Sequence, residues 1–303
     1  MTLLLGLPAP AKLNLFLRVI GRRPDGFHEL RTGFVAIDLA DTLDFELLED
    51  DRVERRGDLT GPVEQDLAVR AARLMQQESR CGLGVRIDLE KRIPTGGGLG
   101  GGSSDAATTL IALNRLWRLN WTREQLAAVA VRLGADVPFF LQPGPALAQG
   151  IGERLSPLPA PARWYALIHP QVHVSTAEIF QSAELTAHLE LAKIQGSSEG
   201  GRKGDTSANA PGSGELGSGS PGHDSGNDSG NDLEPIVRRR VPEVDAALRY
   251  LAGFGQARMT GSGASVFAAF ETEVQAQRAI AGAPARWSTW VVSGLTEHPL
   301  ASW

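Results

Sequence analysis

Residues Pro94 to Ala107 run Pro-Thr-Gly-Gly-Gly-Leu-Gly-Gly-Gly-Ser-Ser-Asp-Ala-Ala, and this stretch limits what the chain can fold into more than any other. An ordered glycine gives up roughly 0.5–1 kcal/mol of conformational freedom, so six of them in nine residues mark a loop kept for what its backbone does. Just upstream, Val85, Ile87 and Leu89 alternate with Arg86, Asp88 and Glu90, the period of a strand with one buried face. Downstream, Ala106, Leu110, Leu113 and Trp117 recur at helical spacing behind Ser103, Ser104 and Asp105, residue types that cap helix N-termini. Strand, glycine loop and helix in that order present free N–H groups and the positive end of a helix dipole. The natural guest is an anion such as a phosphate.

Two familiar phosphate loops do not fit. A Walker A loop carries Lys after its last glycine, where this chain has Ser103. Gly96, Gly98 and Gly101 satisfy G-x-G-x-x-G, but a dinucleotide fold also needs a second strand ending in an acidic residue about 20 positions on. Thr122 to Leu133 reads instead as a helix, opened by a Thr122/Gln125 capping box and with Leu126, Val129, Ala130 and Leu133 on one face. Gly134 is placed to stop it.

The 303 residues suffice for two domains with their own cores, and a net charge of −5 gives no reason to expect nucleic acid or a membrane surface. Arg238 to Arg240, the longest basic run, reads as a solvated helix end. One cysteine, Cys81, excludes an internal disulfide, and no apolar run reaches the roughly 18 residues of a membrane span. Leu3 to Leu5 lack the charged flank of a secretory signal. The expected location is the cytoplasm.

Along the chain, Lys12 to Ile20 reads as a strand with Leu13, Leu15, Leu17 and Val19 on one face and Lys12 and Asn14 together on the other, locally a solvated edge. Gly21, Pro24, Asp25 and Gly26 make a turn before Phe27 and His28, and a strand pair follows at Phe34 to Leu39 and Leu43 to Leu47. Asp66 begins a helix. Asp136, between Gly134 and Pro138, is the only charged residue between Arg132 and Glu153, and Leu147 to Leu155 reads as a hairpin. A second unit opens with a strand at Trp164 to Ile168 and a helix at Thr176 to Ala192. His169 and His173 are set apart by Pro170 and read as solvated or hydrogen-bonded groups. From Gly196 to Gly230 glycine and serine dominate and Leu216 is the only large aliphatic side chain, so the segment is expected to be a disordered insertion. A helix (Pro242 to Leu251), a strand (Gln256 to Met259), a turn at Gly261-Ser262-Gly263, a strand (Ser265 to Phe270), a helix (Glu273 to Ile280) and a strand (Ser288 to Val292) complete an α+β pattern close to a ferredoxin-like half.

Taken together, Ala11 to Leu15, Pro94 to Ala107, Gly134 to Pro138 and Thr260 to Ala264 resemble the GHMP kinases nearly end to end. Gly21 to His28 is similar to the branch of that family whose acceptor is a cytidine-diphosphate ester of methylerythritol. The resemblance implies an S5-domain-2-like N-terminal domain (residues 1–160) and a ferredoxin-like C-terminal domain (161–303) interrupted at about 196–230. It implies ATP-dependent phosphorylation of the 2-hydroxyl of that ester, in the non-mevalonate isoprenoid pathway, with Mg²⁺ as cofactor. On matching positions Lys12 and Asp136 become the catalytic pair. Pro94, Thr95, Gly96, Gly97, Gly98, Leu99, Gly100, Gly101, Gly102, Ser103 and Ser104 become the ATP-binding loop, with Ser104 a candidate metal ligand. Asn14, Phe27, His28 and Phe180 fall where the acceptor is held. Position 27 is Phe where this branch commonly has Tyr, which keeps a stacking ring and loses a phenol. The expected partner is the small-molecule cytidine-diphosphate substrate, with no nucleic acid and no membrane, in a monomer or homodimer.

Overall fold

A computed structural model describes residues 2–58, 61–186 and 230–303. The glycine- and serine-rich stretch expected at 196–230 lies, except for Gly230, outside the described residues.

The architecture is four layers: helices, sheet, sheet, helices. In the first sheet β1 (Leu3–Arg22) pairs antiparallel with β2 (His28–Leu48), and the order continues β3 (Val53–Gly57), β4 (Gly84–Glu90), β2, β5 (Ala146–Gly150), β6 (Arg154–Pro157). Helices α1 (Leu67–Ser79), α2 (Gly101–Leu116) and α3 (Arg123–Ala130) cover its outer face, burying Met75, Leu110, Leu113 and Phe140 against Phe34, Phe45 and Ile87. Asp66 caps α1 by accepting the N–H groups of Ala68 and Val69, and the Thr122/Gln125 capping box is present.

The second sheet runs β10 (Ser288–Ser293), β7 (Trp164–His169), β9 (Val266–Phe270), β8 (Ala257–Met259). Helices α5 (Glu234–Arg240), α6 (Pro242–Ala252) and α7 (Glu273–Ile280) bury Val237, Val244, Leu248 and Ala276 on its outer side. Arg238 to Arg240 fall in the last turn of α5, where cations complement the helix dipole.

Between the sheets lies a third core of Ala11, Leu13, Val35 and Ile37 against Tyr165, Leu167, Phe267 and Val292. The opposite face of β1 also differs from the expectation. Lys12 and Asn14, paired with Ala36 and Phe34 of β2, lie on the helix-covered side under the glycine loop and the 260–261 turn, so each is 3% exposed and not on a solvated edge. The register with β2 also shifts between Asn14 and Phe16, which breaks the simple alternation expected across Leu13, Leu15, Leu17 and Val19.

Other expectations need adjustment. Phe34 to Leu39 and Leu43 to Leu47 belong to one continuous strand, because Ala40, Asp41 and Thr42 pair with Pro10, Ala9 and Pro8 instead of turning. Helix α3 ends at Ala130, and Arg132 and Leu133 donate to the carbonyls three residues back, so the chain tightens before it reaches Gly134. The helix at Thr176 stops at Phe180 (α4, Thr176–Phe180) and helical backbone resumes at 183–186.

Phe267, 2% exposed with its ring 5.8 Å from that of Tyr165, sits at the centre of the layer between the sheets. Phe267→Ala is expected to lower unfolding stability by about 3–5 kcal/mol, the range for a large buried aromatic. Urea unfolding checks this, and a loss under about 1 kcal/mol would mean that the layer is not a close-packed core.

Candidate active site

The glycine loop takes its shape from both sheets. Gly96, Gly98 and Gly100 have φ of 68°, 74° and 72°, and Gly100 stands at the N-cap of α2 in the left-handed region. The Lys12 N–H donates to Leu99 O at 2.9 Å, and the Ser265 N–H donates to Gly97 O at 3.1 Å. A Cβ on Gly98 would lie 2.4 Å from Thr260 O, and one on Gly96 would lie 2.2 Å from the His173 ring. Positive φ and close approach each exclude a side chain there.

A cavity of about 400 Å³ opens in front of this loop. Pro94 to Ser103 form one wall, and Arg55, Asp66, Leu67 and Lys91 line the rest. Lys91 Nζ reaches Asp41 Oδ2 and, at 2.7 Å, Asp105 Oδ2. Burial pushes the Asp105 carboxyl up to about 7 against the lowering pull of Lys91, and Asp41 and Asp66 push it in the same upward direction. Lys91 loses by its own burial but gains more from Asp105 and Asp41, so its pKa rises. Asp105 Oδ1 and Ser104 Oγ are buried with no protein hydrogen-bond partner.

A second cavity of about 310 Å³ lies on the other side of the loop, between β1 and β2 of the first sheet and the α4 and 261–262 segments of the second half. Lys12, Asn14, Thr32, Phe34, Asp136, Thr176, Phe180 and Ser262 are among the residues that line it. Lys12 Nζ stands 3.4 Å from Asp136 Oδ2, 2.5 Å from Asn14 Oδ1 and 5.2 Å from the centre of the Phe34 ring. Asp136 occupies the N-cap of the 3₁₀ turn Val137–Leu141 but makes no side-chain cap, and its carboxylate, one third exposed, is left to the cavity. Ser103 alone among these side chains lines both spaces, so the first turn of α2 is the partition between them.

The residues singled out in the sequence are thus gathered unequally. Lys12, Asn14, Asp136 and Phe180 share one cavity, and His28, outside its wall, has its ring tilted 37° to that of Phe180 with centroids 5.4 Å apart. Burial, with a smaller push from Arg22, lowers the His28 pKa and favours the neutral ring. Phe27 is 60% exposed and is not part of the cavity wall. Ser104 is fully buried, and the loop hydroxyl facing the cavities is that of Ser103. His169 lies behind the loop with Nδ1 3.3 Å from Ser265 Oγ. The sequence alone assigned no site role to Thr32, Thr176, Thr260, Lys91 or Asp105, because single hydroxyls and charges carry no local pattern. Asn231 and Asp232 were also missed: Asn231 donates to the Met259 and Gly261 carbonyls, and Asp232 pairs with Arg18 at 2.6 Å.

A phosphate-type loop dividing two cavities, with a buried lysine and a carboxylate beside the partition, is the arrangement of a small-molecule kinase, and the chain belongs to the GHMP kinase family. Residues 66–144 match the GHMP kinases N terminal domain and residues 219–289 the GHMP kinases C terminal model. Within the family the chain is similar to the 4-diphosphocytidyl-2-C-methyl-D-erythritol kinases of Thiobacillus denitrificans, 50% identical over 97% of this chain and 96% of that one, and of Aromatoleum aromaticum, 48% identical over 100% and 98%. A crystal structure of 4-(cytidine 5'-diphospho)-2C-methyl-D-erythritol kinase superposes with a TM-score of 0.72 at 35% identity over 95% of this chain and 98% of that one. The homoserine kinase of Cytophaga hutchinsonii (TM-score 0.61, 18% identity, 95% of each chain) shares the fold.

Two outcomes follow from this geometry. Gly98→Ala would put a Cβ against the Thr260 carbonyl at positive φ, so calorimetry should find ATP binding weakened at least about tenfold, since a left-handed non-glycine residue alone costs about 1–2 kcal/mol. Parent-like affinity would mean that the loop tolerates another shape. For Asp105 the folded pKa lies above the unfolded value of about 3.9, so the folded state holds the proton more tightly. Its contribution to stability is present at low pH and is lost as pH rises through the window from about 4 to about 7. Asp105→Asn keeps the shape and removes the titration, so its stability relative to the parent should rise between about pH 5 and about pH 8 in urea unfolding. A pH-independent difference would contradict it.

Proposed function

We propose that the protein transfers the γ-phosphoryl group of ATP to the 2-hydroxyl of 4-diphosphocytidyl-2-C-methyl-D-erythritol, as the names of its relatives suggest, giving the 2-phosphate and ADP. The observation that carries this reading is the Lys12–Asp136 pair beside the partition that Ser103 forms between the two cavities.

In this reading the cavity in front of the glycine loop takes ATP, and loop N–H groups with the α2 N-terminus hold its phosphates. The cavity beside Lys12 and Asp136 takes the acceptor, whose cytosine stacks on Phe180 in its wall and on His28 next to it. Phosphoryl transfer passes through a loose transition state, so positioning and charge stabilisation supply most of the rate. Asp136 orients the acceptor hydroxyl and takes its proton late, while Lys12 stands beside it as the balancing charge. Mg²⁺ commonly rests on phosphate oxygens with one or two protein oxygens, and here the ion would supply charge neutralisation at the phosphates. Ser104 Oγ, the ligand expected from the sequence, is unpartnered but fully buried and lines neither cavity, so it is not placed to hold the ion. The halves at 1–160 and 161–303 are read as two domains that meet at the acceptor cavity.

ATP turnover over a panel of the cytidine-diphosphate methylerythritol, galactose, homoserine and mevalonate tests the assignment. Turnover should be confined to the first, and activity confined to one of the others would overturn it. His28→Ala and Phe180→Ala should each raise the acceptor Kd roughly five- to 150-fold, the worth of about 1–3 kcal/mol of base stacking, and leave ATP affinity unchanged. Phe27→Ala, at an exposed position, should matter less. Loss of ATP affinity instead would assign these rings to the donor.

A further inference from the structure

The glycine turn after β8 holds a buried hydroxyl that the proposed mechanism does not use. Thr260 is fully buried, 246 residues from Asn14 along the chain, yet its Oγ accepts the Asn14 N–H at 2.9 Å and stands 3.2 Å from Asn14 Oδ1. The same Oγ is 3.5 Å from Gly98 O, so its single proton has its shorter path to Asn14.

The Asn14 amide is nearly fully committed. Oδ1 receives the Lys12 ammonium at 2.5 Å and faces Thr260 on its other side, while Nδ2 donates to Thr32 Oγ at 2.8 Å. The Thr32 hydroxyl in turn donates to Phe16 O. A flipped amide would point NH₂ at the ammonium, and Thr32 and Thr260 hold it the other way round. Lysine hangs on four rotatable carbons, so an ammonium that must stand beside one carboxylate needs a fixed acceptor to aim at. Thr260 also sits on the second sheet, in the turn whose Ser262 Oγ lies 2.6 Å from Thr176 Oγ1 on α4 of the acceptor wall.

We propose that Thr260 is a positioning residue for the transfer, acting through Asn14 to fix the Lys12 ammonium beside Asp136. Asn14 is then itself a positioning residue, with only one N–H left for the acceptor. The inference rests on the reading of Lys12 and Asp136 given above.

Thr260→Val removes the hydroxyl at nearly constant volume and Thr260→Ser restores it. The expected result is a fall in kcat of about tenfold to a hundredfold for valine, the scale of a misplaced catalytic group, with both KM values within about threefold of the parent. Serine should return kcat to within about threefold, and Asn14→Ala/Thr260→Val should be no slower than Asn14→Ala alone. Where valine is not tolerated in the fold, Thr260→Ala gives the same contrast with serine. A raised KM for ATP at unchanged kcat would assign the hydroxyl to the glycine loop through Gly98 and overturn the proposal, as would a serine variant no better than valine or alanine. Lys12→Met is the control. Full turnover in it would fail the catalytic reading itself, whereas a slow Lys12→Met beside a parent-like Thr260→Val would fail the role of Thr260 alone.

Discussion

The contact on which the rest of the structure depends is the approach of two backbone turns, the glycine loop of the first sheet and the 260–265 turn of the second. The Gly97 carbonyl takes the Ser265 N–H, and Gly98 passes so near Thr260 O that only a hydrogen fits between them. The conformation that leaves loop N–H groups free for an anion is therefore held from behind by the other sheet. In the proposed reading, phosphate binding and the packing of the two halves share one interface. The apolar layer from Ala11 and Leu13 to Leu167 and Phe267 supplies the burial that keeps the turns together.

That packing has an electrostatic consequence. Closing the glycine loop and the 260–261 turn over the Phe34 side of β1 buries a lysine and an asparagine, and buried polar groups must find partners. Lys12 finds Asn14, Asp136 and the Phe34 ring face, and Asn14 finds Thr32 and Thr260. The charges of the site are thus placed by a network whose members come from both halves of the chain. On the donor side Lys91 shared between Asp41 and Asp105 does a similar thing, holding two acids near the cavity with one cation and leaving Asp105 poised near neutrality.

Much of this was legible in the sequence where the signal is local. Six glycines before Ser103-Ser104-Asp105 announce a loop and a helix start, and the Thr122/Gln125 box and the Asp66 cap are written in adjacent residues. The elements of the second sheet followed from periodicity of two and 3.6. Illegible were the features that arise from distant packing. Lys12 and Asn14 read locally as a wet edge because nothing in β1 reveals that the glycine loop, Phe34 and the 260–261 turn will close over that face. Ala40-Asp41-Thr42 read as a break between strands, although Asp41 is fully buried and accepts from the Arg92 and Ile93 N–H groups. Family resemblance, not spacing, drew Lys12 and Asp136 together across 124 positions, and the geometry places them 3.4 Å apart. Phe27 and His28, which the resemblance puts beside the acceptor, both lie outside the cavity wall, the first exposed and the second against Phe180.

The central claim is that Asp136, beside the partition between the cavities, acts on the acceptor hydroxyl while the loop separately holds the donor. Asp136→Asn keeps the shape of the side chain and removes its charge, so kcat and the two binding constants are the quantities to measure together. The account predicts a kcat lower by roughly 10² to 10⁴, the range for a positioned acid or base, with ATP bound as in the parent. Near-normal turnover, or loss of ATP binding in its place, would contradict it.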